Sequence, residues 1–232
     1  MKLSIKNIPV LVLLSIASAM AALDTPPVPV VRILNEVRVS LVLDIPNVYY
    51  VLSPSATFAT VLFDASGSYD PDGDQLLFGW RYWDDGWSTL APGATTSARF
   101  SSESSYDFVL VVSDGANVVS HEFTLVVVNP EFLVRRMSDL FWQETGNQER
   151  YYPVARMLNR SADAYEALQF AEGTHFLHAF TEELKHENSL RQEVRQALAE
   201  MADLILSAAS TDASRRRSSL PSGPTDAEDF PL

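Results

Sequence analysis

The chain reads as an all-β sandwich domain followed by a small all-α helical bundle. Two observations predict this. Between residues 28 and 128, short runs of Val, Leu, Phe and Tyr alternate with clusters of Pro, Gly, Asp and Ser, the punctuation of strands and turns. After Pro130 the apolar residues change period and recur every three or four positions, the spacing of one helix face.

Taken in order, the expected strands are 28–33, 37–43, 48–52, 58–63, 76–83, 95–100, 106–112 and 118–128. In the last, Phe123, Leu125 and Val127 alternate with Thr124 and Val126, as a half-buried strand should. Seven or eight strands over about a hundred residues, with turn signals between them, predict a sandwich. Trp80 is expected to point between the sheets, where a spacing of about 10 Å leaves room for a large ring. Asp85-Gly86 and Asp114-Gly115 read as turns, with glycine free to take a positive φ.

The helices follow. Phe132, Leu133, Met137, Leu140 and Phe141 share one face, and Thr145-Gly146-Asn147 ends it. Pro153 suits the first turn of a second helix, where its missing N–H is not needed. Val154, Met157, Leu158, Ala162, Tyr165 and Leu168 form its stripe, and Gly173 is expected to cap its end. Phe176, Leu177, Phe180 and Leu184 carry a third helix. Ser189 with Gln192 reads as a capping box opening a fourth, striped by Leu190, Val194, Leu198, Met201 and Ile205. Each stripe must be buried, and a bundle does so economically.

The N-terminus reads as an export signal. Lys2 and Lys6 precede the apolar run "IPVLVLLSI", and Ala19-Met20-Ala21 supplies the small residues before a cleavage site. The run is shorter than the ~20 residues of a membrane-spanning helix; an uncleaved anchor is the alternative. The expected layout is a signal peptide at 1–21, a β-sandwich at 25–130, a helical domain at 131–209 and a disordered tail at 210–232. After cleavage no transmembrane segment remains, and the protein is expected to be secreted or at the cell surface, with the periplasm also open.

Composition narrows the partners. A formal net charge of −13 argues against binding nucleic acid through its phosphates. The absence of cysteine excludes disulfides, thiolate metal sites and a lipidated cysteine. Hydrophobic residues at 47% are enough for an ordinary core.

Three ordered motifs carry a family resemblance. "FDASGSYDPDGD" from Phe63 to Asp74 comes first, "FGWRYWDDG" from Phe78 to Gly86 second, and "YDFVLVVSDG" from Tyr106 to Gly115 third. Together they resemble a PKD domain, an immunoglobulin-like sandwich of cell-surface and secreted proteins. The middle motif departs from the family where Trp83-Asp84-Asp85 stands for glycine-aspartate. The resemblance implies a spacer or interaction module without catalysis. The stretch from Leu158 to Leu206 is similar to the FIMAH-type helical module at the ends of exported bacterial proteins, which implies extracellular binding or attachment.

Candidate chemistry is sparse. Asp70, Asp72 and Asp74 alternate like the opening of an EF-hand loop, but Arg81 stands where the bidentate glutamate belongs. The stretch is either a turn or part of a calcium site, and the latter needs Asp114 from the second Asp-Gly turn. His175, His178, Glu182 and His186 share a helix, yet the neighbouring apolar stripe leaves them as surface residues. Ser66 lacks a G-x-S-x-G elbow, and no pair of carboxylates stands out, so no enzyme is expected. Among Trp83, Trp87 and Trp142, Trp87 lies between Gly86 and Ser88 in an expected loop and is the leading exposed ligand contact. The expected function is non-catalytic binding of a polysaccharide or an extracellular or surface protein. The alternative is an accessory subunit that docks through its helices.

Overall fold

The computed structural model describes residues 24–39, 41–146 and 148–218, with side chains as far as residue 211. The expected signal peptide and the tail beyond residue 218 lie outside the described residues.

The strands form two sheets, as a sandwich requires. β1 (Arg32–Ile33), β3 (Phe58–Asp64) and β6 (Thr95–Ser101) make the smaller sheet, in the order β1-β3-β6. β2 (Val48–Leu52), β4 (Leu77–Trp83), β5 (Trp87–Thr89), β7 (Ser104–Ser113) and β8 (Val118–Val128) make the larger, in the order β2-β8-β7-β4-β5. β2 runs parallel to β8, and the remaining pairs are antiparallel.

Alternation does the sorting. Along β7 the inward residues Tyr106, Phe108, Leu110 and Val112 are buried and their neighbours are not. Trp80 is 1% exposed, lies 5.5 Å from Phe63 between ring centroids, and donates its indole N–H to the Gly93 carbonyl at 2.9 Å. That bond satisfies the ring's one polar atom, which would otherwise cost about 1–3 kcal/mol when buried.

Two strand expectations fail. Of 28–33, only Arg32–Ile33 pairs as a strand, with an isolated bridge at Val28. The described residues of 37–43 form no strand. Val37, Val39 and Leu43 are buried instead in one cluster with the helices, where Tyr50 also stacks on Phe132 at 6.5 Å. The helical core therefore takes in residues of the β half, while the interior of the sandwich forms a cluster of its own. In the turns, Gly115 takes the expected positive φ of 102°, but at the other it falls on Asp85, at 51°, rather than on Gly86. Aspartate tolerates this region because its short side chain can bond locally.

α1 (Pro130–Thr145), a single 3-10 turn (Glu149–Tyr151), α2 (Tyr152–Glu166), α3 (Phe170–His186) and α4 (Gln192–Ser218) follow among the described residues. Asn129 caps α1 by accepting from the Phe132 N–H at 2.7 Å, and Gly146, at φ 61°, ends it. Leu133, Met137, Phe141, Leu158, Leu177, Phe180, Leu198 and Met201 form the bundle interior, each fully buried. Each such side chain contributes about 1.5–3 kcal/mol on burial.

Three helix expectations are corrected. Gly173 caps nothing: it lies inside α3, buried against Tyr165. The left-handed residue after α2 is Leu168, at φ 58°. Ser189 does not open α4, which begins at Gln192; its hydroxyl bonds Glu187 and Tyr151 instead. α4 also runs to Ser218, so 210–218, expected as disordered tail, is helical.

Candidate functional site

Two surface features gather the candidate residues. The first is the end of the sandwich formed by the β3–β4 and β7–β8 turns. Asp70 folds the first turn: its Oδ1 accepts from the N–H groups of Asp72 at 2.8 Å and Asp74 at 3.3 Å. Gly73, at φ 87°, closes the turn onto the Asp70 carbonyl. Asp72 accepts from the Thr25 N–H at 2.6 Å, which ties the N-terminal segment to the loop. Asp114 folds the second turn through the N–H groups of Ala116 and Asn117, at 2.8 Å and 2.5 Å. Those bonds, the one from Asn117 foremost, hold its carboxyl below the ordinary 3.8.

The strands bring the two turns together around a residue that sequence reasoning missed. Asp24 accepts from Asn117 Nδ2 at 3.1 Å, and the same amide reaches Asp114. Partial desolvation, followed by the fields of Asp114, Asp74, Asp72 and Asp70, pushes the Asp24 carboxyl above 3.8. Asp70 Oδ2 is enclosed and has no hydrogen-bond partner. Even so, among the described residues no three His, Asp or Glu side chains converge as a metal ligand set.

The second feature is the β4–β5 hairpin. Asp84 to Gly86 turn the chain, with the Asp84 N–H donating to the Gly86 carbonyl at 3.0 Å. Trp87 is thereby placed in a short edge strand, not the loop expected, and stands directly opposite Trp83. The two indoles are 50% and 48% exposed, with ring centroids 5.6 Å apart and planes at 80°. The Arg81 guanidinium lies 4.9 Å from the centre of the Trp87 ring. Trp142 is not part of this surface; it is half-buried between Phe141 and Tyr152.

The helix residues stay apart. His175, His178, Glu182 and His186 are all exposed on α3, and Lys185 donates to Glu182 at 2.6 Å. No helix among the described residues is long and apolar enough to cross a membrane.

Residues 51–128 match the family model of the PKD domain. That stretch holds both turns and the tryptophan hairpin. No curated protein matches the chain. A solved structure concerning the promiscuous specificity of carbohydrate-binding modules from the β-sandwich superfamily is 19% identical over 46% of this chain and 36% of its own length, with a TM-score of 0.32. The aligned part thus spans about a third of that structure.

Proposed function

We propose that this chain is a non-catalytic, exported binding module that holds a polysaccharide on the Trp83–Trp87 edge of its sandwich. One observation carries the reading: two indoles, each half exposed, face each other at a sheet edge. Tryptophan is highly buried on average, and paired exposure on a rigid strand supports a stacking role for sugar rings, whose C–H faces fit an aromatic surface. The PKD match over 51–128 is consistent with binding rather than catalysis. Under this reading the helical half is a FIMAH-type attachment module.

The test is glycan-array binding by the full chain, compared with Trp87→Ala and Trp83→Ala. Binding lost in both variants supports the reading. Binding that survives both overturns it. A protein partner retained by the full chain without any glycan binding would favour the accessory-subunit alternative.

We propose further that calcium binds at the two-turn end, with Asp70, Asp72, Asp74 and Asp114 as candidate ligands. The crowding of carboxylates around Asp24 and the unpartnered Asp70 Oδ2 support a cation there. Several oxygen donors would still have to turn inward, since calcium takes about six to eight. Affinity is therefore expected in the range of extracellular modules, about 10⁻⁴–10⁻³ M.

A further inference from the structure

The tryptophan edge has a shape that selects among polysaccharides. The inference below rests on the proposed glycan-binding function and specifies its ligand.

Trp83 and Trp87 meet at 80°, with centroids 5.6 Å apart. A flat crystalline polymer surface can only be gripped by rings lying in a common plane. Two indoles near a right angle make a corner instead: one ring offers a platform and the other a wall. A corner admits a single sugar unit, and so a single chain free in solution.

Arg81 completes the corner. It lies two residues before Trp83 on the same outward face of β4, opposite Thr89. Its guanidinium sits over Trp87 and, among the described residues, makes no ion pair. It therefore fixes the ring and keeps N–H donors free in a planar fork. Next on that face is Gly79, opposite Val111, where even an added Cβ would meet only Val111 at 4.0 Å. The strip beside Arg81 is thus open, and a chain leaving the corner has room to lie along it.

Charge decides the rest. Asp84 and Asp85 are exposed in the hairpin turn, and Asp107 and Glu122 project from the outer face of β7 and β8. One arginine faces four carboxylates, on a chain of formal net charge −13. Carboxylates accept hydrogen bonds from sugar hydroxyls but repel a polyanion. We infer that the Trp83–Trp87 corner takes one neutral sugar unit of a dissolved glycan chain, with Arg81 as a specificity-determining contact.

The experiment is affinity electrophoresis of the full chain in three sets of probes. One set is soluble neutral polymers (hydroxyethylcellulose, mixed-linkage glucan, galactomannan, xylan). The second is polygalacturonate. The third, run as a pull-down, is microcrystalline cellulose and crystalline chitin. Retardation is expected with at least one soluble neutral polymer, weakened about tenfold or more by either tryptophan-to-alanine change. Arg81→Ala should weaken it as well without lowering the melting temperature, and Arg81→Lys should not restore it. Retention only by crystalline solids, or only by polygalacturonate, overturns the inference while leaving glycan binding standing. Retention by no probe overturns both.

Discussion

Gly173 of α3 lies directly beneath the ring of Tyr165 on α2: a Cβ at this position would come within 3.0 Å of three ring carbons. The Ser161 hydroxyl donates to the Gly173 carbonyl at 2.8 Å, so α2 and α3 meet at van der Waals contact along this seam. Tyr165 is 2% exposed, and its hydroxyl is held against that of Thr174 at 3.1 Å.

Gly173→Ala is therefore expected to destabilise the bundle. Alanine favours a helix interior by about 1 kcal/mol over glycine, while overpacking a buried seam costs about 1–3 kcal/mol. The overpacking cost matches or exceeds that gain, and a net loss of up to about 2 kcal/mol should appear in urea unfolding. A variant as stable as the parent would mean that the Tyr165 ring shifts freely.

Trp80→Ala should be more severe. The ring is 1% exposed and touches Phe63 and Phe123. Its loss should cost about 3–5 kcal/mol, a large part of the ~5–15 kcal/mol that holds a typical domain folded. Trp80→Phe keeps most of the volume but leaves the Gly93 carbonyl without its partner, and should cost less. Near-ultraviolet circular dichroism during thermal melting would rank the two, and a Trp80→Phe variant as stable as the parent would refute the role given to the indole N–H.

The acidic end gives a pH signature. Asp24 has a raised carboxyl pKa in the folded chain, so it favours the fold below its ordinary 3.8 and loses that contribution as pH rises through the raised value. At neutral pH its charge works against the fold. Asp24→Asn should raise the melting temperature at pH 7, measured in EDTA, and the gap should close below pH 3.8. Asp114 has the opposite sign: its lowered value contributes stability above 3.8 that fades as pH falls, so Asp114→Asn should lower the melting temperature at neutral pH.

Calcium should act on the same end. A ligand of the folded state at ten times its Kd adds about 1.4 kcal/mol. Millimolar calcium should therefore raise the melting temperature of the parent, and less so that of Asp70→Asn. No shift in the parent at millimolar calcium would remove the proposed site.

Much of the sandwich could be read in advance because each strand carries its own record. The alternation of Phe123, Leu125 and Val127 and the turn before Trp80 are local signals, and both hold. The misreadings arise where identity depends on a distant surface. Val37 and Val39 alternate as strand residues do, but nothing within 37–43 says that the apolar side will meet helices far along the chain. Gly173 reads as a cap because glycine usually ends helices, whereas here it clears space for Tyr165. Trp87 was legible as exposed, but its strand is only Trp87–Thr89, too short for a periodic signal. Asp24 joins the acidic end through contacts with Asp114 and Asn117 that no spacing rule connects.

Asn129 has a mechanical consequence. It is the one residue between the end of β8 at Val128 and the start of α1 at Pro130, and its amide also donates to Glu103 at 2.6 Å while its carbonyl oxygen caps the helix. A single residue spans about 3.5 Å, too little slack for a swivel. A load on the sandwich would reach the bundle through this one hydrogen-bonded joint and the apolar cluster beside it, so the protein would behave as a stiff bracket and not as beads on a string.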